Sequence, residues 1–572
     1  MPTRSSGADS GADNLAWAGH LVDALVAAGV TRAVLSPGSR STPLALAWLR
    51  HPGARTFVHV DERAAGFFAL GLARGGGAPV ALVATSGSAP AHWLPAVIEA
   101  NHSATPLLLM SADRPAELQD CGANQTVDQV KLFGSHARAF HQTGEATRSP
   151  ERLRQLRWLM SRAADEARHP LPGPVHVNVP FREPLLPAGE PPPPPHGAAP
   201  ALTVSHPLVA PDPQAVNAIA GLMAGRAGII VCGPLAADGA FAAAAAELAA
   251  QLGCVILADP LSNLRFGPHD RSRVLARYDA FLRHGFVDEG TLQWVLRFGA
   301  APVSKPLAQL LERLAVPQVL VSADGRWLDP MHRATWVLHA DPAPACHALS
   351  CAIQRPFEAD LLPPLRALES HAEAAARRLA GAEPLFEADV IDTLLSRLPD
   401  GARVYAGNSM VIRDLDAFSG SGGKQLTFYG SRGASGIDGN VATALGIAAA
   451  GEGPLAALLG DLALFHDLNA LHAARDADAL LVVLNNGGGG IFGYLPQAAL
   501  PEFERGWLTP VGLDIGGAAR LFGVPHRRAA SAAEFSRALD ELLPQRGARL
   551  IEAVIDREAS LAHHRAYWEE PR

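Results

Sequence analysis

Lysine is almost missing from this chain: Lys131, Lys305 and Lys424 are the only three, so nearly all of the 48 basic residues are arginine. Acidic residues number 56, which leaves a formal net charge of -8. That balance excludes the broad basic surface that nucleic-acid binding needs. Cysteine is scarce as well. Cys121, Cys232, Cys254, Cys346 and Cys351 are odd in number and form no C-x-x-C pair. Neither a disulfide framework nor a cysteine zinc site is expected, and a reducing, cytoplasmic setting fits best. No apolar run reaches the roughly 18 residues that a spanning helix requires, and the alanine-rich stretch 240–250 reads as a buried helix. The start, MPTRSSGADSGAD, is polar and has no apolar stretch of signal-peptide type.

What remains is a globular composition, 48% hydrophobic and 18% charged, in 572 residues. That length exceeds a single core and predicts several domains. Two breaks divide it. Pro187–Pro200 contains five consecutive prolines, Pro191 to Pro195, and predicts a stiff linker. Residues 356–385 read as a charged connecting helix. The expected segments are 1–190, 200–360 and 380–572, each within the usual domain range.

Each segment alternates short apolar runs with helix-length stretches. TRAVLSPGS, PVALVATSG, PLLLMSADR and PVHVNVPF serve the first segment, AGIIVCGP, CVILADP and PQVLVSAD the middle one, and ARVYAGNS, LAALLGD and ALLVVLNN the last. Such a pattern predicts an α/β fold of doubly wound parallel sheets, with ligands at the carboxyl ends of the strands.

LAALLGD ends at Asp461, and a helical stretch leads into ALLVVLNN, which ends at Asn485–Asn486. One strand–helix–strand unit spans that interval, so both side chains should emerge at one sheet edge. A carboxylate, an amide oxygen and a carbonyl from the run Gly487–Gly490 would suit a magnesium ion that also grips a diphosphate. In the first segment, FVHVDERAAGFFALGLARGGG sets Glu62 after a short strand and at a helix start. Taken alone, a glutamate there suits the positive end of the helix dipole.

Gly460-Asp461, followed after 24 intervening residues by Asn485-Asn486, resembles the signature of thiamine-diphosphate enzymes. The resemblance implies three domains of that family's type: pyrimidine-binding, central, and diphosphate- and metal-binding. It implies thiamine diphosphate with Mg2+ (Mn2+ also serving), held by Asp461, Asn486 and the Gly488 carbonyl. Glu62 would be the catalytic proton switch at the pyrimidine. Ser435, Gly436, Ile437, Gly460, Leu462 and Ile491 would also line the cofactor, with Ile437 beneath its bent form. Because the family places the glutamate and the metal site on different chains, a homodimer or homotetramer with active sites at the subunit interface is implied. Two positions depart from the family pattern: Leu462 where G-D-G is usual, and Gly487 where Asn or Asp commonly follows the Asn pair.

SPGSRSTPLALA, SADRPAEL, GNSMVIRDLD and SRGASGIDGN place Arg40, Arg114, Arg413 and Arg432 in turns or at strand ends. Guanidinium forks pair bidentately with carboxylates, so this set suggests substrates with several carboxylates. With HVDERAAGFFALGLA and NNGGGGIF, these stretches resemble the branch of the family that joins 2-oxoglutarate to isochorismate in menaquinone biosynthesis. That branch implies a decarboxylating 1,4-addition, with Ser39, Arg40, Arg114, Asn124, Gln125, Lys305, Ser409, Arg413 and Arg432 on the substrates. Phe492 and Leu495 would form an apolar wall. Pro306 stands where the branch tends to carry a basic residue, which leaves the role of Lys305 open.

None of the 22 histidines is required for this chemistry, and His92, His102 and His466 read as packing or hydrogen-bonding residues. An acetohydroxyacid synthase, a 2-oxoacid decarboxylase and a non-catalytic protein of the same fold remain alternatives at this stage. A nicotinamide dehydrogenase is disfavoured, because GGGG after Asn486 lacks the G-x-G-x-x-G spacing into a helix.

Overall fold

Ten of the apolar runs become strands, and their order explains where the polar residues gather. A computed structural model describes residues 8–189, 197, 202–235, 239–285, 289–355, 357, 359–381, 383–451 and 453–569. The five-proline run and the first seven residues lie outside the described residues.

The first sheet uses β1 (Arg32–Leu35), β2 (Arg55–Val58), β3 (Val80–Ala84), β4 (Leu107–Asp113), β5 (Ala139–Gln142) and β6 (Pro174–Pro180), ordered β2-β1-β3-β4-β6-β5. The second uses β7 (Gly228–Cys232), β8 (Val255–Ala258), β9 (Val274–Leu275), β10 (Trp294–Phe298), β11 (Gln318–Val321) and β12 (Trp336–Leu338), ordered β12-β11-β10-β7-β8-β9. The third uses β13 (Arg403–Ala406), β14 (Thr427–Gly430), β15 (Leu455–Gly460), β16 (Ala479–Asn485), β17 (His526–Ala529) and β18 (Ala548–Val554), ordered β14-β13-β15-β16-β18-β17. The first two sheets are parallel throughout. In the third, β13 pairs in parallel with β14 and β15, and β17 with β18. The expected α/β class with three doubly wound sheets is what the chain forms. The first and third sheets share one strand order, a repetition the sequence did not announce.

The chain packs as two compact units. One holds residues 1–206 with 431–452 and 463–479; the other holds 207–430, 453–462 and 480–572. Residues Leu362–Leu379 form the expected charged helix. The stretch between Asp461 and Asn486 is less regular than a single helix: Asp461–His466 is a short α-helix and Leu468–Asp476 a 3-10 turn.

Within the first unit, the helix Glu62–Gly76 crosses the helix Asn440–Ala450 at very close range. A Cβ on Gly71 would lie 2.1 Å from the Thr443 carbonyl oxygen, and one on Gly446 2.1 Å from that of Phe68. Only residues without a Cβ let two backbones meet this closely. Gly71→Ala is therefore expected to cost about 1–3 kcal/mol through overpacking and to lower the thermal midpoint. Gly221 lies inside the helix Pro213–Met223 with open space around its Cβ position. Gly221→Ala should leave the midpoint unchanged or raise it. Differential scanning fluorimetry compares the two, and an unchanged Gly71→Ala midpoint would contradict the crossing.

Candidate functional site

In the second unit the strand ends converge as the spacing implied. Asp461 follows β15 and is 5% exposed. Burial raises its carboxyl to about 6, against the pull of the backbone N–H groups of Leu462, Gly488 and Gly487 that it accepts from. Its contact with Gly487 and Gly488 brings the end of β15 to the end of β16. Asn486 follows β16, and its Oδ1 is buried without a hydrogen-bond partner. An orphaned amide oxygen beside a desolvated carboxylate is costly unless something else occupies it. Gly488 sits at φ +138, and a Cβ there would lie 2.2 Å from the Leu508 carbonyl oxygen, so no side chain fits. Its own carbonyl accepts from Gly490 N–H at 2.9 Å. These are hard oxygen donors, and the unpartnered Asn486 Oδ1 makes the set fit a magnesium-type cation. Among the described residues, no cluster of three His, Cys, Asp or Glu side chains forms a separate metal site.

The turn that follows, Gly490–Tyr494 with Leu495 at its C-cap, carries the two apolar candidates. Phe492 is half-buried, and Leu495 is exposed. Between them Tyr494 reaches into a buried network that sequence reasoning missed. Its hydroxyl lies 3.0 Å from His564 Nδ1 on the C-terminal helix, and His564 Nε2 lies 2.9 Å from Asp414 Oδ1. Ser560 donates to Glu387 at 2.7 Å in the same cluster. Asp414 belongs to the helix Met410–Phe418, whose first turn carries Arg413. Ser409 caps that helix at φ +69, a strained value for a non-glycine residue. Arg413 is exposed and donates to the Ser409 carbonyl at 2.5 Å. Lys305 is exposed at the start of the helix Lys305–Arg313, and Pro306 fills that helix's first turn, where proline is favoured.

The first unit carries the other residues. Asp61 caps the helix Glu62–Gly76, accepting from the N–H groups of Arg63 and Ala64, and leaves Glu62 half-buried at its first turn. Ser39 and Arg40 follow β1, Ser86 follows β3 and Arg114 follows β4, all at carboxyl ends of neighbouring strands. Arg40 is buried and donates to the Phe181 carbonyl at 2.9 Å and to Glu183 at 2.7 Å. Its Nε has no partner, nor has the buried Nη1 of Arg114. Burial, and then the charge of Arg40, lower the Arg114 pKa. Two guanidiniums close enough to repel, each with an unsatisfied N–H, are arranged for an anion. Gln125 adopts φ +55 and donates to the Ser86 carbonyl at 2.9 Å, while Ser39 and Asn124 are exposed.

Ser431 to Asp438 also belong to this unit. Arg432 and Gly436 are half-buried, and Ser435 and Ile437 exposed. A cleft of about 230 Å³ lies beside them, lined in part by Phe67, Glu99, Ala434 and Gly436. Glu99, a lone acid in an apolar helix, was not legible as functional. Of the three histidines noted, His92 and His102 are exposed, and the exposed His466 accepts at its carbonyl from Arg63 at 3.0 Å.

Three family models match in chain order. "Thiamine pyrophosphate enzyme, N-terminal TPP binding domain" covers residues 16–132, "Middle domain of thiamine pyrophosphate" 213–405 and "Thiamine pyrophosphate enzyme, C-terminal TPP binding domain" 419–553. Similar full-length proteins carry the name 2-succinyl-5-enolpyruvyl-6-hydroxy-3-cyclohexene-1-carboxylate synthase. That of Dechloromonas aromatica is 46% identical over 548 residues, covering 95% of this chain and 99% of the relative. Those of Geobacillus kaustophilus and Haloarcula marismortui are each 43% identical, covering 97% and 95% of this chain and the same shares of the relatives.

The His564 network predicts a pH dependence of stability. Burial opposes protonation of His564, but the hydrogen bond to Asp414 and the charges of Asp414 and Glu387 outweigh it, raising the imidazole from 6.5 to about 9. Burial first, and Asp414 next, raise Glu387 from 4.5 to about 7. Both folded-state values lie above the unfolded ones, so the stabilisation is complete at low pH and lost as pH rises. For His564 the loss falls between 6.5 and about 9. The thermal midpoint should decline across that window, and His564→Gln should flatten the decline while lowering the midpoint most at the acidic end. A variant with the wild-type slope would contradict the assignment.

Proposed function

This chain belongs to the thiamine pyrophosphate enzyme family, among its 2-succinyl-5-enolpyruvyl-6-hydroxy-3-cyclohexene-1-carboxylate synthases, and on that premise we propose that it decarboxylates 2-oxoglutarate and adds the remaining four-carbon unit to isochorismate by 1,4-addition. The observation that carries the reading is that one chain holds both kinds of strand-end site: hard oxygen donors at Asp461, Asn486 and Gly488, and unsatisfied guanidinium N–H groups at Arg40 and Arg114.

Bound thiamine diphosphate supplies a carbon nucleophile and an electron sink for loss of carbon dioxide from a 2-oxoacid. Asp461, Asn486 and the Gly488 carbonyl would hold Mg2+ against its diphosphate. Glu62 would share a proton with a ring nitrogen of the aminopyrimidine, switching the proton's position as the reaction proceeds. Ser435, Gly436 and Ile437 would support the cofactor, with Gly460, Leu462 and Ile491 beside the metal. Arg40 Nε and Arg114 Nη1 would hold substrate carboxylates. Both substrates are dianions, so cationic groups must offset their mutual repulsion. Arg413, Arg432 and Lys305 would add positive charge, while Ser39, Asn124, Gln125 and Ser409 offer hydrogen bonds. Phe492 and Leu495 would exclude water from the apolar side.

The active form is a homo-oligomer in which Glu62 of one chain serves the metal site of another. Domain bounds of 1–190, 200–360 and 380–572 go with this reading, as do a cytoplasmic location and a place in menaquinone biosynthesis.

Protein supplied with Mg2+ and thiamine diphosphate should consume isochorismate only when 2-oxoglutarate is present. Glu62→Gln should lower turnover by at least about 100-fold, the scale of lost proton-transfer catalysis, while still binding the cofactor. Mixing it with Asp461→Ala under subunit exchange should recover part of the activity. Consumption supported equally by pyruvate, or near wild-type turnover of Glu62→Gln, would sink the reading; no recovery on mixing would remove the shared-site arrangement.

A further inference from the structure

In the first unit the turn between Ser431 and Asp438 is gripped from both sides. The N–H groups of three consecutive residues converge on one carboxylate, Glu99. Gly433 N lies 3.0 Å from its Oε1, and Ala434 N and Ser435 N lie 2.6 and 3.4 Å from its Oε2. Successive N–H groups around one anion form a nest, the kind of concavity that binds phosphates in other settings. Here the chain fills it with its own side chain. Glu99 is 3% exposed, and a buried charge needs partners. Arg74 supplies one at 2.6 Å. The same guanidinium donates to Ser431 Oγ and Thr105 Oγ1, each at 3.2 Å. From the other side, Asn440 Nδ2 donates to the carbonyls of Gly436 at 3.1 Å and Ile437 at 2.7 Å.

The grip maintains two unfavourable features. Ser435 is held at φ +63, a left-handed conformation that costs a non-glycine residue energy. Ile437 remains 38% exposed. A strained turn that keeps an aliphatic side chain in solvent does little for folding and much for pre-organising a contact.

We infer that Glu99, braced by Arg74, is a positioning residue that pre-forms the Ser435–Ile437 turn to receive thiamine diphosphate. This rests on the proposed function, in which that turn touches the cofactor. With its oxygens turned to the backbone, Glu99 acts through the turn. A glutamine in its place presents one acceptor oxygen and sets an NH2 group against N–H donors, so the turn loosens before any cofactor arrives.

Wild type, Glu99→Gln and Glu99→Asp are compared by two measurements on cofactor-free protein. One is amide hydrogen exchange across residues 431–437, and the other is calorimetric titration with thiamine diphosphate in the presence of Mg2+. In Glu99→Gln the Gly433–Ser435 amides should exchange faster and the cofactor Kd rise about tenfold, the size of one lost charge-assisted hydrogen bond. The KM values for 2-oxoglutarate and isochorismate at saturating cofactor should stay within about twofold, as expected when uniform substrate binding is untouched. Glu99→Asp keeps the charge on a shorter stem and should recover part of the affinity. It also carries the test if the glutamine variant does not fold. Cofactor affinity within about twofold of wild type in both variants would overturn the inference, as would higher substrate KM values with unchanged cofactor affinity. Wild-type protein that takes up no thiamine diphosphate would overturn the proposed function itself and the inference with it, an outcome visible before any variant is measured.

Discussion

The carboxyl ends of β15 and β16 depend on one convergence: a desolvated Asp461 carboxylate accepts from the N–H groups of Gly487 and Gly488, while Asn486 Oδ1 is left buried and unpaired. Those two facts pull against stability. Burial raises the Asp461 carboxyl to about 6, and the amide oxygen forgoes a hydrogen bond. A divalent cation at this position would resolve both at once, because it would favour the ionised carboxylate and take the spare oxygen. The strand order places β15 and β16 side by side, and the absence of a Cβ at Gly488 lets the backbone enter where Leu508 would block any side chain.

The same construction recurs in the first sheet, whose strand order matches the third. There the first positions after β3 and β4 are Thr85, followed by Ser86, and Arg114, where the third sheet has Asp461 and Asn486. One topology thus presents oxygen donors in one unit and guanidinium donors in the other. The chemistry differs because the residues beyond the strand ends differ, as expected when function is grafted onto a scaffold. Behind each set lies a buried polar device. His564 ties the Tyr494 turn to the Asp414 helix in the second unit, and Glu99 ties the Ser435 turn to two helices in the first.

Legibility in the sequence followed physical contrast. Strands such as VALVA and LLLMSAD are buried along their whole length and read as unbroken apolar runs. Strands that escaped were short and peripheral, such as AFHQ, TFYG and HRRA, or were broken by a buried charge. Arg297 interrupts WVLRF and is satisfied by Asp329 at 2.6 Å; Arg549 interrupts ARLIEAV and donates to the Leu542 carbonyl. Asp461 and Asn486 were legible because their separation has a period set by strand and crossover. Glu99 and His564 were not, since each depends on a partner far away in the chain, the Ala434 N–H for Glu99 and Asp414 for His564, and no local pattern encodes such a meeting. The two-unit packing, which takes residues 431–452 and 463–479 away from the rest of the third segment, was likewise invisible from linkers alone.

The oxygen donors at the ends of β15 and β16 are the feature on which cofactor binding would rest. Titration of the thiamine-diphosphate-loaded protein with Mn2+, followed by electron paramagnetic resonance, reads that site. Wild type should bind the ion tightly, while Asp461→Ala and Asn486→Ala should each bind it at least about tenfold more weakly, as loss of a ligand from such a site requires. Equal Mn2+ affinity in all three proteins would contradict the account.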